Sequence, residues 1–137
     1  MTGLADLLAR NLGARLLPAP PPLPLKPTRS DYDLNPSARA LAPKSLVPAA
    51  VLMPIVMRAE PTMLFTRRTE HLPRHPGQIS FPGGRVHGDD ASLVDTALRE
   101  MKEETGIGAE FVSVEGFLDV YETGTGYVIL PVVGLLR

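Results

Sequence analysis

Three glutamates, Glu100, Glu103 and Glu104, stand three and four residues apart in the stretch Arg99-Glu-Met-Lys-Glu-Glu-Thr-Gly106. If that stretch is helical, a turn of about 100° per residue places all three on one arc, because residues three and four apart are surface neighbours. On the same wheel Leu93, Val94, Ala97, Leu98 and Met101 form an apolar face, and the carboxylates border that face. Like charges at this spacing repel, and acids in the last turns oppose the helix dipole. One reading is a solvated acidic face partly neutralised by Arg99 and Lys102. The favoured reading, because the carboxylates sit at the edge of a core, is a site for a hard divalent cation. Oxygen ligands with no cysteine and no nearby histidine suit Mg²⁺ or Mn²⁺, and such ions serve phosphoryl-transfer and pyrophosphate chemistry.

The element that must carry these acids has its own local signals. Ser92 with Asp95 three residues on makes a capping-box-like start, and Gly106 supplies a stop, so the spacing predicts a helix over 92–105. Upstream, residues 68–90 form a long irregular stretch rich in Gly, Pro, His and Arg, and loops of that length inside a compact domain are usually functional. Apolar, β-rich runs predict strands over 49–57, 62–67, 111–121 and 127–136, with Glu60-Pro61 and the Gly-rich Glu122–Gly126 as turns. Pro54 inside the first run predicts an edge strand or a bulge. His71, His75 and His87 read as surface or structural groups, and none is assigned a catalytic role.

The first 47 residues differ in kind. Leu4, Leu7, Leu8 and Leu12 have the spacing of a short amphipathic helix. Nine of the fifteen prolines then fall between Pro18 and Pro48, which favours extended polyproline conformations. Residues 1–47 are therefore expected to be an N-terminal helix and a proline-rich arm, and 48–137 the single domain. The arm reads as a packing strap or a disordered lead-in, with recognition by a proline-binding partner as the other possibility.

Composition sets the outer limits. The 137 residues carry 14 Lys+Arg against 15 Asp+Glu and no cysteine. The near-zero net charge excludes a binder of nucleic acid or anionic membrane that works by charge alone. The missing cysteines exclude disulfides, thiolate metal sites and cysteine nucleophiles. No apolar run is long enough to span a bilayer, and the first residues lack the layout of a secretory signal. A soluble, cytoplasmic chain is expected.

At Arg99–Ile107 the residues resemble a known family. Arg99-Glu-Met-Lys-Glu-Glu-Thr-Gly-Ile107 matches the second half of the Nudix box, R-E-U-x-E-E-x-G-U, and Phe81-Pro-Gly-Gly84 stands where that family places its Gly-Gly turn. The first half departs from the general pattern, with Ala91 where Glu is expected and Arg85 where Gly is expected. A loop one residue longer restores Gly84 and makes Asp90 or Asp89 the nearest carboxylate, as in the coenzyme A pyrophosphatase branch. That branch also carries a segment L-L-T-x-R-[SA]-x3-R-x3-G-x3-F-P-G-G. Here Leu64, Thr66, Arg68, Gly77 and Phe81–Gly84 match it in register, while Pro73 replaces an Arg and Arg74 stands beside it.

The resemblance implies a Nudix α/β/α sandwich with a mixed sheet, an α/β (α+β) fold. It implies hydrolysis of the pyrophosphate of coenzyme A, or a derivative, to adenosine 3′,5′-bisphosphate and 4′-phosphopantetheine. Glu100 and Glu104 would be the principal ligands of Mg²⁺ or Mn²⁺, with Glu103 as a further ligand or base. Arg99 would orient the carboxylates. Arg68, Arg74, Gly77 and Gln78 would meet the substrate, and Gly83 and Gly84 would form the sharp turn beside it. Arginine forks suit phosphate oxygens, and Arg67 and Arg85 lie in the same stretch.

Family members continue past the last strand with more sheet and a closing helix, so the chain is expected to be C-terminally truncated, with its last strand at an open edge. The expected partner is a small molecule, with neither nucleic acid nor membrane, and a homodimer is the expected assembly. Two other readings stay open. One is a Nudix hydrolase for another nucleoside diphosphate derivative such as ADP-ribose. The other is a non-catalytic Nudix-like binding module.

Overall fold

The computed structural model describes residues 3–68, 70, 71 and 77–137. In chain order it has α1 (Leu4–Gly13), β1 (Arg29–Ser30), two 3₁₀ turns (Asp31–Asp33 and Pro36–Leu41), and β2 (Val47–Val56). The strands β3 (Thr62–Met63), β4 (Thr66–Arg67), β5 (Ile79–Ser80) and β6 (Gly83–Arg85) lead to α2 (Leu93–Thr105). A 3₁₀ turn (Ala109–Phe111), β7 (Val112–Phe117), β8 (Tyr121–Glu122) and β9 (Tyr127–Leu136) complete it.

The result is a mixed α+β fold on a seven-stranded sheet, with β4 and β5 in a separate two-stranded sheet. Two ten-residue strands form its spine, because β2 and β9 run parallel from Val47 beside Tyr127 to Val56 beside Leu136. β9 is paired on its other side by β8 and β7. The terminal strand, expected at an open edge, is thus the centre of the sheet, and Leu135 is wholly buried. Its apolar run agrees with that place, since Val132–Leu136 are buried on both faces and need no polar alternation, while over Tyr127–Pro131 buried and half-buried residues alternate.

β2 corrects a second expectation. It is an interior strand despite Pro48 and Pro54. Its outer side is served by two short partners, β6 opposite Ala49–Val51 and β3 opposite Ile55–Val56. Pro54, which has no N–H to offer, falls in the gap between them, and its carbonyl accepts from the Leu64 amide at 3.1 Å.

α2 covers one face of the sheet. Leu93, Ala97 and Met101 pack into a core with Ala50 and Leu52 of β2 and Leu130 and Val132 of β9. Burying a Leu- or Met-sized side chain is worth about 1.5–3 kcal/mol, so this one stripe fixes the helix against the spine. The Ser92 hydroxyl accepts from the Asp95 amide at 3.2 Å, and Gly106 ends the helix at φ +79°.

The proline-rich arm is built into the body of the fold. Leu17 bridges to Phe117, and β1 pairs in parallel with β8. Pro36 starts the second 3₁₀ turn at a position where its missing N–H costs nothing. Among the described residues, no helix is long and apolar enough to cross a membrane.

Candidate active site

The site grows from the exposed edge of α2 where it meets the turn leading from β5 into β6. Gly84 sits opposite Ala50, and a Cβ placed on it would lie 2.6 Å from the Glu100 carboxyl carbon. Only glycine leaves room for that carboxylate. A Cβ on Gly83 would instead meet the Ala50 carbonyl oxygen at 2.5 Å, so the pair lets backbone approach on both sides of the turn.

Arg99 is the organising cation. Its Nε donates to Asp90 Oδ1 at 2.8 Å and its Nη2 to Asp90 Oδ2 at 3.1 Å. Nη1 reaches Glu100 Oε1 at 3.0 Å and both oxygens of Glu103 at 3.2 Å, and Nη2 also donates to the Arg85 carbonyl at 3.0 Å. Asp90 in turn accepts from the His87 amide and the Thr96 hydroxyl. The Asp90 side chain is 4 % exposed. Its carboxyl is held well below the usual carboxylate range, above all by Arg99, while Asp90 pushes the Arg99 guanidinium still higher.

Glu104, one turn on from Glu100, lies on the exposed side of the helix end. Partial burial raises its pKa, the charge and hydrogen bond of Glu100 add to the rise, and the Gly83 amide and Thr66 hydroxyl oppose it as donors. Glu100 is thus held between the Arg99 guanidinium and the Gly84 backbone. Glu103 is turned to Arg99 and more than half exposed. Among the described residues, no three acidic or histidine side chains converge as they stand into a ready-made cage for an ion. Glu100 and Glu104, one helix turn apart, and Glu103 beside them offer the oxygen donors that a hard divalent cation takes, and such an ion would relieve their mutual repulsion.

The stretch 64–84 that resembles the coenzyme A segment folds back on itself. β4 and β5 pair, with Thr66 opposite Ser80 and Arg67 opposite Ile79. The pairing continues outward, where the Arg68 amide donates to the Gln78 carbonyl at 2.9 Å and the Gly77 amide to the Arg68 carbonyl at 3.0 Å. Gly77 takes φ +69°, a left-handed conformation that closes the loop at low cost to glycine. Phe65 and Phe81 stack at 4.8 Å and brace the base of this hairpin.

The arginines of the stretch divide. Arg67 pairs with Glu70 at 2.8 Å, and Arg85 donates to the Tyr127 hydroxyl at 3.1 Å and lies over its ring. Arg74 and His75, together with Pro73, lie outside the described residues. Sequence reasoning left Asp89 and Asp90 as alternatives, and the Arg99 contacts single out Asp90. Thr66 and Thr96 were not assigned roles. The only signal for Thr66 was its match within the Leu64–Gly84 segment.

Residues 46–132 match the NUDIX domain family, and the chain belongs to that family. It is 52% identical over 88 residues to the uncharacterized Nudix hydrolase NudL of Yersinia pestis, and equally to that of Yersinia pseudotuberculosis. The matched segment is 64% of this chain and 44% of the relative, so the chain spans less than half the length of these curated relatives. Among solved structures, RenU, a Nudix hydrolase of M. smegmatis, superposes with a TM-score of 0.57 at 19% identity, covering 68% of this chain and 63% of that one. An Ap4A hydrolase of C. elegans superposes with a TM-score of 0.53 at 25% identity, covering 66% of each chain.

Proposed function

We propose that the chain hydrolyses the pyrophosphate bond of coenzyme A or a close derivative, releasing adenosine 3′,5′-bisphosphate and 4′-phosphopantetheine. In this reaction one P–O bond of the P–O–P bridge breaks, and water supplies the hydroxyl and the proton that complete the two products. The observation that carries the reading is the seating of the Glu100 carboxylate against Gly84, the last residue of the coenzyme A-like segment, with Glu104 one turn further along the same helix. The segment that resembles a coenzyme A motif and the acids of the Nudix box are thus parts of one site.

Glu100 and Glu104, with Glu103, would hold Mg²⁺ or Mn²⁺. When bound, such an ion neutralises charge on the diphosphate and acidifies an attacking water. The chain's own residues do the rest. Arg99, itself fixed by Asp90, keeps Glu100 and Glu103 from drifting apart. Gly83 and Gly84 keep the wall of the site free of side chains. Strand alternation carries Arg68 to the same face of the hairpin as Thr66, where its guanidinium can bind a phosphate, and Gln78 is its backbone partner across the hairpin.

A second reading, hydrolysis of another nucleoside diphosphate derivative such as ADP-ribose, is favoured by Pro73, which stands where the coenzyme A segment has an arginine. Turnover of coenzyme A and of ADP-ribose, each with Mg²⁺ and with Mn²⁺, separates the two. The coenzyme A reading expects the higher kcat/KM on coenzyme A. A clear preference for ADP-ribose would replace it with the second reading, and inactivity on both would leave a binding module.

A further inference from the structure

Arg85 follows Gly84 directly, yet its side chain leaves the catalytic turn on the opposite side. Side chains alternate along a strand, so with Gly84 facing Glu100, Arg85 points away from α2. Arg85 stands opposite Ala49, and Val47, two residues back on the same strand, stands opposite Tyr127. Arg85 and Tyr127 therefore share one face of the sheet, and they meet there. Nη2 donates to the Tyr127 hydroxyl at 3.1 Å, and the guanidinium carbon lies 5.6 Å from the ring centroid. The Arg85 carbonyl is fixed separately, because it accepts from Arg99 Nη2 at 3.0 Å. This corner has donors and lacks an acceptor. Arg29, Arg39, Arg67 and Arg99 each pair with a carboxylate, whereas among the described residues no carboxylate pairs with Arg85. A guanidinium has five N–H donors, and the phenol accepts from Nη2 alone. The Tyr127 hydroxyl proton likewise has no acceptor among the described residues. An exposed cation beside a hydroxyl with a proton to give suits a phosphate, and a neutral phenol holds a guanidinium less strongly than a phosphate does.

We propose that Arg85, with the Tyr127 hydroxyl beside it, binds the 3′-phosphate of the adenosine moiety and makes the site prefer nucleotides that carry one. The proposal rests on the coenzyme A reading for its substrate. β6 pairs with β2 alone, so its outer edge is open among the described strands. With the diphosphate at Glu100 and Gly84, a ribose lying across that edge carries its 3′-phosphate to the face of Arg85, whose Cα is about 3.8 Å from that of Gly84. ADP-ribose has no such group, so Arg85 separates the two substrate classes.

The test uses the full chain with Arg85→Ala, with Arg85→Gln, which keeps a donor without the charge, and with Tyr127→Phe. Turnover is compared on coenzyme A and on dephospho-coenzyme A, which differ only in the 3′-phosphate. Arg85→Ala and Arg85→Gln are expected to raise KM for coenzyme A about 10- to 100-fold more than KM for dephospho-coenzyme A, the scale of a lost charge-assisted hydrogen bond. Tyr127→Phe should act in the same direction by about 2- to 10-fold. Equal changes on both substrates, or none on either, would overturn the proposal, since a structural role does not single out the 3′-phosphate. Calorimetric titration with adenosine 3′,5′-bisphosphate and with adenosine 5′-monophosphate gives a second readout that needs no turnover. Wild type is expected to bind the bisphosphate more tightly, and Arg85→Ala to lose that preference. A preference absent from wild type, or unchanged in Arg85→Ala, would overturn the proposal. A wild-type chain inactive on both coenzymes would defeat the coenzyme A reading, and the titration would still decide the role of Arg85. Arg85→Gln carries the test if alanine unsettles β6.

Discussion

Glu100 and Glu104 stand one turn apart on α2, and partial burial, with the charge of Glu100 added, raises the Glu104 pKa. A carboxyl whose folded value lies above its unfolded value favours the folded chain while protonated and disfavours it once ionised. The metal-free protein should therefore give up stability as the pH climbs from about 4. Glu104→Gln removes that cost together with the charge of a proposed metal ligand. It is expected to raise the metal-free melting temperature at pH 7.5 relative to wild type, with the difference vanishing near pH 4, while turnover falls by about 100-fold or more. Melts in EDTA at the two pH values, paired with turnover in Mn²⁺, check both halves. Asp90 has the opposite sign. Its folded value lies below the ordinary one, so its support is present above about pH 4 and is lost on acidification. Asp90→Asn leaves Arg99 without its main partner and is expected to cut turnover by about 10–100-fold. KM should rise less than kcat falls, because Asp90 acts through Arg99. A kcat at the wild-type level would show that Arg99 needs no anchor.

At the scale of elements, the two glycines of the turn separate fold from chemistry. In Gly83→Ala the new methyl meets the Ala50 carbonyl oxygen and the Val51 backbone, which cannot retreat without opening the pairing of β6 with β2. In Gly84→Ala it meets the end of the Glu100 side chain, which can swing away. Gly83→Ala is therefore expected to destabilise the protein by about 1–3 kcal/mol. Gly84→Ala should melt near wild type and lose most of its activity. Urea unfolding and turnover on both variants test this, and a Gly84→Ala chain with full activity would show that Glu100 works from another rotamer. What the sequence disclosed here follows from range. α2 was legible to within a residue because its apolar spacing, Ser92 cap and Gly106 stop are all local. The run 62–67 was read as one strand, yet residues 62–63 pair with β2 and 66–67 with β5. The run 111–121 likewise divides between β7 and β8. Which neighbour a strand chooses depends on residues far away, so no local pattern announces the break.

For the molecule as a whole, the central place of β9 and the seating of the arm were the parts least visible in the sequence. Both depend on which surfaces meet. The proline content of residues 18–48 correctly argued against a long helix, but it carried no information about where an extended strap would lie. The strap is pinned by a polar cluster. Arg39 donates from Nη1 to both oxygens of Glu122 at 2.8 and 2.9 Å and lies over the Tyr32 ring, while Tyr121 and the Gly124 amide donate to Asp31. Glu122 is 5 % exposed, whereas about half of the Arg39 side chain stays open to water. The pair is therefore asymmetric. Removing Arg39 leaves a buried carboxylate to be satisfied by whatever water can enter, and an unsatisfied buried acceptor costs about 1–3 kcal/mol. Arg39→Ala is expected to lose about that much in urea unfolding, and Arg39→Lys to lose part of it, because an ammonium cannot reach Glu122 and Ser30 Oγ at once as Nη1 and Nη2 do, nor lie flat over the Tyr32 ring. The contact lies on β8, at the strap's side of the sheet, and none of its residues touches Glu100 or Glu104. Turnover per folded molecule, measured well below the unfolding midpoint, should therefore stay at the wild-type level. A loss of turnover without a loss of stability would mean that the strap shapes the substrate site directly.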